Sequence, residues 1–225
     1  QWLRGQIGLD GDRVDTLRLG SPFDYRKVEL RIADDMPDPA ASPASFKGEV
    51  AERTLQHVLQ NGGRALVLCT SWDFVRAIGD RLRPALADAG IALLVQGEAP
   101  LARLLEQKRT DPTSVLVGTD SLWEGIDVRG DALTLVVVTR LPFQNPSHPL
   151  TKARLAAIEQ KGGDAFRDWS LPEAILKFRQ GFGRLIRGQG DRGKVVVLDP
   201  RVRTKAYGRR FLGALPFRDD FDPSA

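Results

Sequence analysis

A chain of 225 residues with 42% hydrophobic content is long enough for one large domain or two small ones, with ample apolar side chain for a core. Its single cysteine, Cys69, excludes an internal disulfide framework and any four-cysteine metal or iron–sulfur site within the chain, and no stretch reaches transmembrane length. The formal charge of +4 is compatible with a nucleic-acid partner without demanding one.

In chain order, residues 1–25 form a Gly-rich lead-in that ends in the turn-like LGSPFDY. The start QWLRGQIGLDG lacks both an initiator methionine and signal-peptide architecture, and reads as a piece of something longer. Lys27 to Ile32 alternates polar and apolar residues, which predicts a strand. The Pro/Ala/Asp segment DDMPDPAASPAS makes a loop and a helix start, followed by an amphipathic helix from Phe46 to Leu59 that closes at Asn61-Gly62-Gly63. Arg64 to Thr70 is a buried strand holding Cys69, whose apolar setting marks an inert thiol. Ser71 caps a helix that runs to about Asp88 and stops at Gly90. Ile91 to Val95 is a strand, Pro100 to Arg109 a helix and Ser114 to Val117 a strand. Leu133 to Thr139 is the most apolar strand candidate, and Lys194 to Leu198 is the last. Short apolar strands separated by helices predict one α/β domain, with a mostly parallel sheet covered on both faces.

Two glycine patterns need clearing first. Gly188, Gly190 and Gly193 spell GxGxxG, and Gly188 to Lys194 falls one residue short of a P-loop because Val195 replaces Ser/Thr. Both patterns need a preceding strand and a following helix, so that phosphate meets the helix N-terminus. Here a helix precedes and a strand follows. The glycines are a helix-to-strand turn, which removes a dinucleotide-binding dehydrogenase from consideration.

The run QGFGRLIRG carries more chemistry. Gln180, Arg184 and Arg187 are spaced four and three apart, so a continuous helix would place all three on one face. A glutamine and two fixed cations aimed the same way suit a polyphosphate whose charge spreads during transfer. Some fifty residues earlier, VGTDSLWEGIDVRG leaves a strand through hydroxyl and acid residues. Thr119 and Ser121 can donate to phosphate oxygens, while Glu124 and Asp127 can orient cations, water or a ribose hydroxyl.

These segments together resemble superfamily 2 helicases of the XPD/DinG branch. GTDSLWEGIDVRG is similar to motif V of that branch, QGFGRLIRG to motif VI and GGRALVLCTSWDF to motif IV. The SPFDY segment, TRLPFQNPSHPL and DPRVRTKAYGRRFLGALP match the branch in order and spacing, and the DinG-type subgroup fits better than XPD proper. The resemblance implies a RecA-like α/β fold and the second motor domain, residues 1–225, of an ATP-dependent 5′→3′ DNA helicase. No P-loop in proper context and no Asp-Glu-Ala-His box is present, so the first motor domain would be absent from this chain. ATP and Mg2+ would be shared with that absent domain, and any iron–sulfur cluster would belong to the parent protein alone. The isolated chain would hydrolyse ATP negligibly. The implied partners are single-stranded DNA and the first RecA-like domain of the same polypeptide, in a monomeric, cytoplasmic protein without a membrane anchor.

By the same resemblance Arg184 and Arg187 are arginine-finger candidates, with Gln180 on the nucleotide or its attacking water. Gly183 permits close backbone approach or serves packing. Gly125 and Asp127, with Glu124, fall on motif V positions facing the nucleotide, and Asp127 alternatively pairs with a motif VI arginine. For nucleic acid the candidates are Thr70, Ser71, Thr119 and Ser121, at strand ends along one sheet edge. Trp72 and Trp123 are either base-stacking platforms or partly buried loop aromatics. The basic run Arg201, Arg203, Lys205, Arg209 and Arg210 either tracks phosphates or is a solvated helix face. No metal ligands are expected in this chain. Two other readings stay open: an RNA-directed helicase domain of the same superfamily, and a non-catalytic nucleic-acid-binding module with a motor-like fold.

Overall fold

The computed structural model describes residues 17, 23–124, 128, 130–186, 188 and 190–216, with Asp120 and Glu124 described by backbone only. Among them six strands build one sheet in which every neighbouring pair runs parallel. The strands are β1 (Val28–Ile32), β2 (Ala65–Leu68), β3 (Leu93–Val95), β4 (Val115–Gly118), β5 (Leu135–Val138) and β6 (Gly193–Val197). Their spatial order is β1-β6-β5-β2-β4-β3. Parallel neighbours cannot be joined by hairpins and need crossovers. Helices α1 (Pro43–Gln60), α2 (Trp72–Asp88), α3 (Leu101–Thr110), α4 (Asp120–Glu124), α5 (Pro149–Gln160) and α6 (Leu171–Phe182) lie in the connections. Two short helices, α7 (Arg201–Thr204) and α8 (Gly208–Leu212), follow the last strand. The expected α/β architecture is present, with strand ends shifted by one or two residues.

Alternate residues of each central strand feed two separate cores. Ala65 and Val67 of β2 join Val137, Val196, Phe46, Val50 and Ile78 on the face covered by α1 and α2. Leu66 and Leu68 point the other way, to Val136, Val138, Trp123, Phe178, Phe182 and Phe211 beneath α4, α6 and α8. All four β2 residues are buried, which is why this strand reads as a continuous apolar run. On α1 the buried positions Phe46, Val50, Thr54, Leu55 and Val58 recur at helical spacing. Thr54 costs no unpaired donor, since its hydroxyl donates to the Val50 carbonyl at 2.7 Å. Ser71 caps α2 as expected, its Oγ accepting from Phe74 N at 3.4 Å. Pro84 interrupts the α2 ladder at an exposed position, where water can serve the Asp80 carbonyl it frees.

One lysine is built into the core. Lys108 of α3 is 1% exposed, and its ammonium donates to the carbonyls of Ser114 at 2.7 Å and Pro112 at 3.3 Å. It thereby fixes the turn that feeds β4. Burial pushes its pKa down from 10.5 to about 8. Among the described residues no helix is long and apolar enough to cross a membrane.

Candidate nucleotide and nucleic-acid edge

Because all six strands point the same way, their carboxyl ends open onto one edge. The chain leaves β2 and returns on its β4 side, then crosses to β5 on the other side, so the central strands form a topological switch point. Ligands gather in the crevice outside such a point. Hydrogen bonding continues past the strand ends, with Cys69 N on Gly118 O at 2.8 Å, Thr139 N on Leu68 O at 3.1 Å and Leu198 N on Val138 O at 2.9 Å. Thr70, Thr119, Arg140 and Asp199 therefore emerge side by side, one from each of four neighbouring strands.

Thr119 and Ser121 are brought together by a residue that sequence reasoning did not single out. Gln96, just past β3, accepts from Thr119 N at 2.6 Å and donates through Nε2 to Ser121 Oγ at 2.9 Å. One amide thus orders the loop from β4 into α4. An isolated glutamine after a short strand carries no pattern to announce this. Trp72, at the start of α2, is 48% exposed and lies over Gly97, where an added Cβ would come 3.3 Å from Cζ3 of the indole. Gly97 has φ +100°, so glycine meets both the backbone and the space requirement there. Trp72 is available as a platform. Ser71 is nearby, with its hydroxyl engaged in the cap.

Trp123 takes the other of its two readings. It is fully buried, its Nε1 donates to Cys69 O at 3.0 Å, and its ring packs against Gly181 of α6. A base cannot stack on it. Its role is to clamp α4 onto the end of β2 and onto α6.

The shared helical face of Gln180 and Arg184 needs correction. Helix α6 ends at Phe182 with Gly183 as its cap, so Arg184 lies in the following turn. Its N donates to Gly181 O at 3.1 Å, and its Nε folds back to Gln180 O, also at 3.1 Å. The guanidinium thereby serves a carbonyl that the ending helix leaves without its usual partner, and a cation at a helix C-terminus is favoured. Gln180 and Arg184 still sit together, through this bond rather than a continuous helix. Gly183 has φ −66° and meets nothing closer than 3.4 Å with an added Cβ. The close approach belongs to Gly181. Arg187, Gly125 and Asp127, and the side chain of Glu124, lie outside the described residues. Gly188 N is held by Asp191 Oδ2 at 2.8 Å in a turn that leads straight into β6, so the order is helix, turn, strand.

The basic run is largely committed to acids. Asp199 is fully buried and accepts from Leu141 N at 2.8 Å, from Arg201 N at 3.0 Å and from Arg201 Nη2 at 2.6 Å. Arg201 also lies over Phe143, 5.6 Å from its ring centre. Phosphate tracking by Arg201 would have to break this buried pair, so its first task is to hold the loop after β5. Arg203 pairs with Asp34 at 2.8 Å and Lys205 with Asp38 at 4.0 Å, both in solvent, where such pairs are weak and open to exchange. Arg140 is different. It is half-buried at the centre of the edge, with no hydrogen bond or ion pair to any described residue. Burial first, then the nearby Arg201, lowers its pKa, against an opposing pull from Asp199.

Beside Thr70 the edge opens into a cleft of about 550 Å3 between the loop after β5, α5 and α6. Phe143 and Leu150 give it apolar wall, Gln144, Asn145 and His148 hydrogen-bonding groups, and Arg154 and Lys177 cations. Cys69 is inert, its thiol pushed up by complete burial. One buried cysteine does not fit a four-thiolate cluster. Among the described residues no group of three or more His, Cys, Asp or Glu comes together as a metal site.

Residues 54–218 match the family described as the helicase C-terminal domain. Over 220 residues the chain is 37% identical to the 3′-5′ exonuclease DinG of Bacillus subtilis, covering 96% of this chain and 24% of that protein. Over 198 residues it is 41% identical to the ATP-dependent DNA helicase YoaA of Haemophilus influenzae, covering 88% of this chain and 30% of the relative. The chain thus spans about a quarter to a third of these relatives. A solved XPD helicase superposes with TM-score 0.60 at 19% identity, over 83% of this chain and 34% of that one, which establishes a shared RecA-like fold.

Proposed function

Because this chain belongs to the helicase C-terminal domain family, of the DinG and XPD type, we propose that it is the second motor domain of an ATP-dependent DNA helicase. On this reading it supplies one wall of an ATP site and part of a single-stranded DNA track, and the parent moves 5′→3′. The reading is supported above all by a single sheet edge that carries both kinds of group. Thr70 and Ser121 present hydroxyls where phosphates of a strand would pass, while Thr119 is buried beneath them and bonded to Gln96. Gln180 and Arg184 sit at the end of α6, joined to that loop through Trp123 against Gly181.

The chain's own contribution to hydrolysis is positive charge. Arg184, and Arg187 beyond it, stabilise the negative charge that spreads over the transferring phosphoryl group, while Gln180 orients the nucleotide or the attacking water. Gly125 and Asp127, with Glu124, complete the nucleotide side. Mg2+, if held there, would neutralise phosphate charge, and its ligands and the phosphate cradle would belong to the first motor domain of the same polypeptide. The isolated, monomeric chain therefore turns over no ATP.

The test is Arg187→Ala in the parent enzyme. That variant is expected to bind ATP and DNA and to lose DNA-stimulated hydrolysis by about 10³-fold. Near-normal turnover would remove the arginine-finger role. Stimulation by RNA in place of DNA would reassign the substrate.

A further inference from the structure

The cleft beside Thr70 is absorbed by neither the ATP wall nor the strand-end hydroxyls. We propose that it is a nucleotide pocket of the nucleic-acid track: it takes one base of the single strand inward, with the adjoining phosphates at Arg154 and Lys177. The inference rests on the single-strand-track reading and names a subsite within it.

Size comes first. A volume of about 550 Å3 suits one nucleotide and leaves room for a strand to enter and leave. Chemistry comes next. Phe143 forms apolar wall, and it is held rigid by Phe166 at 5.8 Å and by Phe211 at 5.8 Å between ring centres. The amides of Gln144 and Asn145 and the imidazole of His148 can meet the polar edge of a base. Gln144 is already positioned, accepting from Thr151 Oγ1 at 3.2 Å and donating to Glu173 at 3.4 Å. Asn145 turns its own loop by accepting from Ser147 N at 2.9 Å.

Charge decides between a base and a purely apolar guest. Arg154 stands over the Trp169 ring at 4.1 Å, which fixes its guanidinium at the cleft wall and leaves its N–H edge free to donate. Lys177 projects from α6 on the same cleft, 5.9 Å from the centre of the buried Trp123 ring. Among the described residues that line the cleft, Arg154 and Lys177 are cations and Glu173 the carboxylate, a lining that favours an anionic backbone. Continuity supplies the path, because Thr70 belongs both to the cleft wall and to the row of strand ends.

The site is made by a buried device. Asp199 holds Leu141 N and Arg201 together, so the loop that carries Phe143, Gln144 and Asn145 leaves β5 in a fixed direction. A loop lying free on the surface would not need such an anchor.

The experiment titrates labelled oligothymidylate, and an abasic oligomer of equal length, against this chain by fluorescence anisotropy at two salt concentrations. Asn145→Ala with His148→Ala is expected to weaken oligothymidylate binding about tenfold while leaving the abasic oligomer unchanged. Arg154→Ala is expected to weaken both oligomers and reduce the salt slope by about 1. Thermal melts of each variant confirm that the fold is kept. If the Asn145/His148 variant binds both oligomers like the parent chain, while Ser121→Ala weakens both, the pocket is refuted and the track survives. If the unsubstituted chain binds neither oligomer, the track reading falls and the pocket with it.

Discussion

Replacing Gly181 with alanine tests whether Trp123 packs directly against the backbone of α6. A Cβ built at Gly181 would come 2.7 Å from Trp123 Cε3, 2.8 Å from Trp123 Cζ3 and 2.9 Å from Leu68 Cδ1. Both neighbours are completely buried, Leu68 in a central strand and Trp123 tied by Nε1 to Cys69 O. Neither can swing aside without opening a void elsewhere. Overpacking of this kind costs about 1–3 kcal/mol. Alanine's helix propensity returns up to about 1 kcal/mol, and less than that here, since Gly181 is the second-last residue of α6. The overpacking cost wins, leaving a net loss of about 1–2 kcal/mol and a melting temperature lower by roughly 2–8 °C. Gly183→Ala is the control, because the same construction meets nothing closer than 3.4 Å at an ordinary helical φ. It is expected to be neutral within about 0.5 kcal/mol. The assay is thermal unfolding of the two single variants beside the parent chain. A Gly181→Ala chain that melts at or above the parent temperature would refute the proposed packing.

Two further outcomes follow from buried charge. Lys108 has a folded pKa of about 8 against 10.5 for a free lysine, so the unfolded chain binds more protons between those values and stability rises with pH across that window. The gain from this residue is roughly 3 kcal/mol, and urea unfolding at pH 7.5 and 10.5 should show it in the parent and lose it in Lys108→Met; equal pH dependence in both would refute the assignment. Asp199→Ala leaves Arg201 half-buried without its carboxylate and is expected to cost about 3–5 kcal/mol. Adding Arg201→Leu should recover part of that loss in thermal melts, whereas a double variant worse by the sum of the singles would mean the two residues act separately.

The sheet was legible because its signal is local. Runs such as ALVL and LVVV are buried on both faces, and the intervening helices carry stripes such as Phe46, Val50 and Val58. Helix α5 carried no such signal, since Thr151 is its one buried residue and an exposed helix leaves no stripe. The spacing of Gln180 and Arg184 suggested a continuous helix, which in fact stops at Phe182 and gives Arg184 a carbonyl to cap. The burial of Trp123 was hidden for a different reason. It depends on Gly181, fifty-eight positions later, leaving room for an indole, a fact of tertiary packing that no window of sequence contains. Gln96 was missed on the same ground, because its partners arrive from the loop after another strand.

These long-range contacts also give the edge its mechanical character. Gln96 binds the Thr119 and Ser121 loop, that loop begins α4, and α4 carries Trp123 into the groove left by Gly181. Gly181 lies one residue from Gln180 and three from Arg184, whose own bond spans the helix end. The Thr119 and Ser121 loop thus has a packed route to the end of α6. Gln96→Ala is therefore expected to loosen the Thr119 and Ser121 loop while leaving Trp123 packed against Gly181.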